Sequence, residues 1–130
     1  MREDPVISIV DDDESIRVAT KRLLRLHGFV VHTFVSAEAF LESPVINDTS
    51  CIVADVRMPG MNGIELQEHL MRQGHHMPVI FITAFPEERH RTRAMEAGAV
   101  SFLRKPFDAK TLIDCIDEAL KRRGDGPVGE

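Results

Sequence analysis

The chain has 130 residues, 43% of them hydrophobic and 28% charged, with a formal net charge of −5 and neither Trp nor Tyr. That length suits one domain able to bury its own core without disulfide or metal staples. It shows no apolar stretch of membrane-span length, no signal-peptide pattern at Met1-Arg2-Glu3-Asp4-Pro5, and no basic, aromatic-rich surface for direct nucleic acid contact.

Val6 to Val10 predicts a strand, and Glu14 to about His27 a helix with Ile16, Ala19, Leu23 and Leu26 on one side. Gly28 closes that helix in the position of a left-handed cap. Phe29 to Thr33 reads as the second strand, and Ser36 as the N-cap of a short helix carrying Ala39, Phe40 and Leu41. Cys51 to Ala54 is the third strand, after which Asn62 caps a helix to about Arg72 with Leu66 and Leu70 inward. Pro78 introduces the fourth strand, Val79 to Thr83. A weakly apolar helix from about Pro86 to Ala97 stops at Gly98, and Val100 to Arg104 is the fifth strand. Asp108 opens the last helix, with Leu112, Ile116, Ala119 and Leu120 as its apolar stripe. Lys121, Arg122, Arg123 and Gly124 give it a cationic end and a stop signal, and Gly124 to Glu130 reads as a flexible tail. Cys51 and Cys115 have no CxxC spacing and read as small core residues in a reducing cytoplasm. Alternating strands and helices imply a parallel sheet between helical layers. Right-handed crossovers leave only a few doubly wound topologies.

Three separated stretches end an apolar run in charge: Ile9-Val10-Asp11-Asp12-Asp13, Val53-Ala54-Asp55 and Leu103-Arg104-Lys105-Pro106. Open α/β sheets bind ligands outside the carboxyl ends of their strands. One edge would therefore collect Asp11, Asp12, Asp55 and Lys105. Two unit charges about 4 Å apart repel by roughly 4 kcal/mol at an effective dielectric near 20. Three ionised carboxylates so placed call for a cation, and Mg²⁺ (or Mn²⁺) suits carboxylates, waters and a substrate phosphate. Lys105 would offset part of the charge without the metal. A plainer account makes Asp11 to Glu14 a helix cap favoured by the dipole; a second strand ending in Asp and a third in Lys weigh against it. Asp55 is the natural nucleophile, since a carboxylate can attack phosphorus to form an acyl phosphate. Thr83 offers a hydroxyl to a phosphoryl oxygen, and the small Ala84 beside it leaves room.

Four segments carry a resemblance: Ile9-Val10-Asp11-Asp12, Asp55-Val56-Arg57-Met58-Pro59-Gly60-Met61-Asn62-Gly63, Ile82-Thr83-Ala84, and Gly98-Ala99-Val100-Ser101-Phe102-Leu103-Arg104-Lys105-Pro106-Phe107. In this order and spacing, across residues 5 to 122, they resemble the receiver (CheY-like) domain of a two-component response regulator. Ser36-Ala37-Glu38-Ala39-Phe40-Leu41 and Arg57-Met58-Pro59 are similar to the FixJ-type subgroup. The resemblance implies a (βα)5 doubly wound, flavodoxin-like α/β fold over residues 1–123. Its central five-stranded parallel sheet would run in the order 2-1-3-4-5, with helices on both faces.

By matching position, the resemblance further implies phosphorylation of Asp55 by a phosphohistidine of a sensor histidine kinase or histidine phosphotransfer protein. Asp12, Asp55 and the backbone carbonyl of Arg57 would ligate Mg²⁺, with Asp11 reaching it mainly through water. Lys105 would pair with the phosphoryl group, and the Lys105–Pro106 bond would be cis. Thr83 would move toward the phosphoryl oxygens and Phe102 into the vacated space, reshaping the face of the fourth helix, fifth strand and fifth helix. Phe102 has no hydroxyl, so such a switch works by packing. The same face is the expected homodimer surface. Arg57 and Phe85, two residues beyond Asp55 and Thr83, would tune the acyl-phosphate lifetime, their bulk restricting attacking water.

The expected function is thus a cytoplasmic phosphoacceptor that catalyses only its own phosphorylation and dephosphorylation, either stand-alone or as a phosphorelay shuttle. FixJ-type receivers usually precede a DNA-binding domain, so the receiver piece of a transcriptional regulator is an alternative. A metal-dependent phosphohydrolase is another, although such enzymes often carry a second Asp where this chain has Arg57. A non-phosphorylated interaction module fits poorly with Asp11, Asp12, Asp55, Thr83 and Lys105 all present. Glu87-Glu88-Arg89-His90-Arg91-Thr92-Arg93 reads equally as a solvated face or as a partner surface. His75-His76 reads as an exposed loop without acids at metal-ligand spacing.

Overall fold

A computed structural model describes residues 4–123. Among them, five strands alternate with five α-helices. The strands are β1 (Val6–Val10), β2 (Val30–Phe34), β3 (Cys51–Asp55), β4 (Val79–Thr83) and β5 (Ser101–Arg104). The helices are α1 (Glu14–Leu26), α2 (Ala37–Leu41), α3 (Gly63–Arg72), α4 (Glu88–Glu96) and α5 (Ala109–Arg123). All strand pairs are parallel, in the order β2-β1-β3-β4-β5. This is the doubly wound, flavodoxin-like fold expected from the sequence. The tail expected over 124–130 lies outside the described residues.

Side chains alternate across a strand, and here both faces are apolar. Ile7, Ile9, Val53, Ile80 and Ile82 face one core with Leu24 of α1 and Leu112, Ile113, Ile116, Ala119 and Leu120 of α5. Val10, Ile52, Ala54, Phe81 and Phe102 face the other, with Phe40 of α2, Ile64, Leu66 and Leu70 of α3, and Ala94 of α4. Burial on both faces explains why the central strands read as continuous apolar runs. The register sets Val10 beside Ala54, Asp55 beside Ile82, and Thr83 beside Arg104. The charged residues that end these strands therefore emerge along one edge.

Local signals account for most element ends. Ser36 accepts from the backbone N–H of Ala39 at 3.0 Å. Asn62 and Glu65 form a reciprocal capping box at the start of α3. Gly28 and Gly98 adopt φ of +95° and +100°, ending α1 and α4 in the left-handed region that glycine tolerates.

The inward face of α1 differs from expectation. Thr20 and Leu24 are its buried residues, Ile16 and Leu23 are half-buried, Ala19 is exposed, and Leu26 is 82% exposed. At 100° per residue, Thr20 and Leu24 lie about 40° and 80° to one side of Ile16, whereas Ala19 and Leu26 lie about 60° and 80° to the other. Residue type had favoured Ala19 and Leu26, but the angle favours Thr20 and Leu24. Boundaries also shift: β2 runs to Phe34, β5 starts at Ser101, and α4 starts at Glu88 because Glu87 is extended. A 3₁₀ turn over Pro44–Asn47, capped by Ser43, was not anticipated. Among the described residues no helix is long and apolar enough to cross a membrane.

Candidate functional site

Asp11 and Asp12 follow β1 directly, and Asp13 is the N-cap of α1. The Asp13 Oδ1 accepts from the backbone N–H of Ser15 and Ile16 at 2.9 and 3.3 Å. Of the acidic run, Asp13 is therefore the cap, and Asp11 and Asp12 stand instead at the edge of the sheet. Asp11 is fully buried. Its backbone N–H donates to Phe34 O at 3.1 Å, and its carbonyl accepts from Arg17 at 2.8 Å. Its Oδ1 accepts from the Asp13 N–H at 2.9 Å.

Asp55 ends β3 and is also buried. One carboxylate oxygen accepts from the Arg57 N–H at 3.2 Å and the other from Lys105 Nζ at 3.1 Å. The same ammonium lies 3.0 Å from Asp11 Oδ2. Asp11 Oδ2 is buried, and this ion pair is the contact that faces it. Asp12 is exposed and completes the group: each of Asp11, Asp12 and Asp55 offers an oxygen within 4.8 Å of the others. Burial, then the charge of Asp11, pushes the Asp55 carboxyl up to about 6, against the opposing pull of Lys105. Burial pulls the Lys105 ammonium down, but Asp11 and Asp55 outweigh it and hold the group above its ordinary value.

Lys105 reaches this position because its backbone N–H donates to Thr83 O at 2.8 Å, and the Lys105–Pro106 bond that follows is cis. Thr83 is buried, and its hydroxyl accepts from the Phe85 N–H at 3.2 Å. Phe102 is buried with its ring centroid 6.0 Å from that of Phe81. Gly63 brings α3 against the acidic strand: a Cβ there would stand 2.3 Å from Asp55 O and 3.1 Å from the Phe81 ring. Sequence alone marks Gly63 as a helix start, not as a close approach.

Residues 7–117 match the response regulator receiver domain family. The chain belongs to that family. Among curated relatives, this receiver domain is 41% identical over 117 residues to nodulation protein W of Bradyrhizobium diazoefficiens, covering 90% of this chain and 52% of that protein. It is 40% identical over 122 residues to the transcriptional regulatory protein FixJ of Azorhizobium caulinodans, covering 94% and 58%. The chain thus spans about half the length of the curated relatives it matches. Among solved structures, the response regulator StyR superposes with a TM-score of 0.87 at 44% identity, covering 95% of this chain and 62% of that one. FixJ-N does so with a TM-score of 0.82 at 37% identity, covering 92% and 95%.

Receiver domains generally bind Mg²⁺ through acidic residues. The donor set here fits a hard divalent cation by its chemistry: three carboxylates offer oxygens within 4.8 Å of one another, and one lysine is paired with two of them.

Other features of this receiver were not readable in advance. The Arg57 guanidinium, placed beside Phe85, pairs with Glu87 at 2.6 Å. Glu38 of α2 accepts from the Met61 N–H at 2.9 Å, which holds its carboxyl below the ordinary range. α4 buries only Ala94, as its charged sequence suggested, but polar ties add to its hold: Gln67 donates to Ala94 O at 3.2 Å, and Arg93 pairs with Glu68. His75 is half-buried rather than exposed, and His76 is exposed.

Proposed function

We propose that this receiver domain accepts a phosphoryl group on Asp55 from a phosphohistidine of a sensor histidine kinase or histidine phosphotransfer protein in the cytoplasm, in a reaction that requires Mg²⁺. The observation that carries the reading is the convergence of Asp11, Asp12 and Asp55 with a shared Lys105 between two of them. Asp12, Asp55 and the carbonyl of Arg57 would hold the ion, with Asp11 acting through water. When bound, the ion neutralises charge on the transferring phosphoryl oxygens.

In the transfer, an Asp55 carboxylate oxygen bonds to phosphorus as the phosphorus–nitrogen bond of the donor breaks and the imidazole departs. Lys105, already at the Asp55 carboxylate, offsets the added negative charge. Thr83 turns its hydroxyl toward the new oxygens, and Phe102 follows into the space released. The face of α4, β5 and α5 then differs between the two states and serves as the output and dimer surface. Arg57 and Phe85 tune the lifetime of the product.

A second reading of the output has support in the comparisons: relatives that match over about half their length include one named a transcriptional regulatory protein. On that reading the receiver controls a DNA-binding neighbour in a longer protein. Incubation with Mg²⁺ and acetyl phosphate, followed by intact mass, tests the core proposal. One phosphoryl group should add to the wild type, none to Asp55→Asn, and none when EDTA replaces Mg²⁺. Uptake by Asp55→Asn equal to wild type would sink it.

A further inference from the structure

Arg57 and Phe85 lie two residues beyond Asp55 and Thr83, on neighbouring loops at the ends of β3 and β4. Their side chains meet, the guanidinium carbon 5.4 Å from the ring centroid. The same guanidinium is held at 2.6 Å by Glu87. Glu87 occupies the N-cap position of α4, yet its side chain caps nothing. A good capping side chain there would stabilise the helix. Instead one carboxylate oxygen serves Arg57 and the other accepts from Arg89 at 3.1 Å, with His90 Nδ1 3.8 Å away. These three cationic or titratable groups hold the carboxyl below its ordinary range, Arg57 contributing most.

We propose that Glu87 is a positioning residue that sets how long the acyl phosphate on Asp55 survives. It does so by holding the Arg57 guanidinium against the Phe85 ring, across the gap between the two loops. The inference rests on the phosphoacceptor reading above and adds to it a residue that touches neither phosphoryl group nor metal. In the decay, a water oxygen bonds to phosphorus while the bond from phosphorus to the Asp55 oxygen breaks. The products are the Asp55 carboxylate, inorganic phosphate and a proton released to solvent. Arg57 and Phe85 leave the ends of β3 and β4 next to Asp55, the Arg57 backbone N–H donating to the Asp55 carboxylate at 3.2 Å, and on this inference their paired side chains form a roof over the path of attacking water. Without Glu87 the guanidinium is held by the ring alone, and the roof opens more often.

The test uses the full chain, phosphorylated with acetyl phosphate and Mg²⁺, desalted, and followed by intact mass as the phosphoryl group is lost. Glu87→Gln should shorten the half-life about two- to fivefold, the range that coupling in an exposed ion pair supports. In an Arg57→Gln background, the further change Glu87→Gln should have no effect. Because the pair is exposed, raising salt from 0.05 to about 1 M should shorten the wild-type half-life and leave that of Glu87→Gln unmoved. A merely structural role for Glu87 would not produce that salt dependence. Substitution effects that multiply, or a wild-type half-life insensitive to salt, overturn the role of Glu87. If neither the wild type nor any variant takes up a phosphoryl group, the phosphoacceptor reading itself fails. Uptake with unchanged decay removes only this inference.

Discussion

Replacing Asp55 with Asn should stabilise the metal-free protein, and by an amount that depends on pH. The folded Asp55 carboxyl titrates at about 6 rather than 3.8, burial being the main cause and the Asp11 charge the next, with Lys105 opposing both. Between these values the folded protein holds a proton that the unfolded chain has lost. Stability therefore falls as pH rises through that window, and the loss is complete above the folded value. At about 1.4 kcal/mol per unit, a gap of about two units corresponds to about 3 kcal/mol. Solvent at the mouth of the cleft screens part of this, leaving about 1–3 kcal/mol. Asn carries no charge and removes the penalty, while its amide oxygen can still accept from Lys105.

Urea unfolding in EDTA, followed by far-ultraviolet circular dichroism because the chain has no Trp or Tyr, should show the two proteins within about 0.5 kcal/mol of each other near pH 4. The Asn variant should lead by about 1–3 kcal/mol at pH 7 and above. Mg²⁺ should reverse the order at neutral pH. A ligand at a hundredfold excess over its Kd adds about 2.7 kcal/mol to the form that binds it, and the variant has lost one carboxylate of the three. A stability difference that stays flat from pH 4 to pH 8, or equal stabilisation of both proteins by Mg²⁺, refutes the argument.

Lys105→Met should cost about 3 kcal/mol in EDTA at neutral pH, because it leaves two buried carboxylates facing each other; Mg²⁺ should return part of that in the same unfolding assay. Asp13→Ala should lower stability by about 1 kcal/mol as a lost cap and leave Mg²⁺ affinity unchanged in a calorimetric titration, whereas Asp12→Ala should weaken that affinity and spare the cap. Gly63→Ala sets a methyl 2.3 Å from Asp55 O, so it should destabilise by about 2 kcal/mol, read as a lower melting temperature. A melt indistinguishable from wild type would mean that α3 can draw back from β3.

The site's main residues were legible because a charge that ends a buried apolar strand has few other places to go. Asp11, Asp55 and Lys105 each ended such a run, and parallel pairing brought those ends to one edge. Periodicity reduced the topology to a few forms, and the family resemblance supplied the strand order. Which acid in Asp11-Asp12-Asp13 would cap was not legible, since it depends on where the chain turns out of β1 into α1. The α1 face was misread because Ala19 and Leu26 look more apolar than Thr20, while position around the axis governs burial. The Arg57–Glu87 pair joins exposed loops 30 residues apart, and nothing local marks such a contact. Gly63 stands only eight residues after Asp55, but its need for a missing Cβ comes from how α3 folds back onto the end of β3 and the Phe81 ring, which the local pattern does not show.

The fold and the site oppose one another in a way that narrows what the site can do. Each fully buried Ile or Leu stabilises by about 1.5–3 kcal/mol. Ile7, Ile9, Ile80, Ile82, Leu112 and Ile116 are all fully buried, so the sheet can carry the cost of an ionised Asp55 at its edge. What the core cannot do is balance the charge. Among the described residues Lys105 is the ammonium paired with the Asp11 and Asp55 carboxylates, with Asp12 nearby, and a phosphoryl group would add more negative charge at the same place. The Thr83 hydroxyl accepts from the Phe85 N–H, and a hydroxyl that accepts there can still donate its own proton. On the proposed function, an added phosphoryl group would lean on two side chains, Thr83 from the end of β4 and Lys105 from just beyond β5. The two are tied to one another and to the loop into α4, Thr83 O accepting from the Lys105 N–H at 2.8 Å and the Thr83 hydroxyl from the Phe85 N–H at 3.2 Å, so on that reading a change of charge on Asp55 would act first on the ends of β4 and β5.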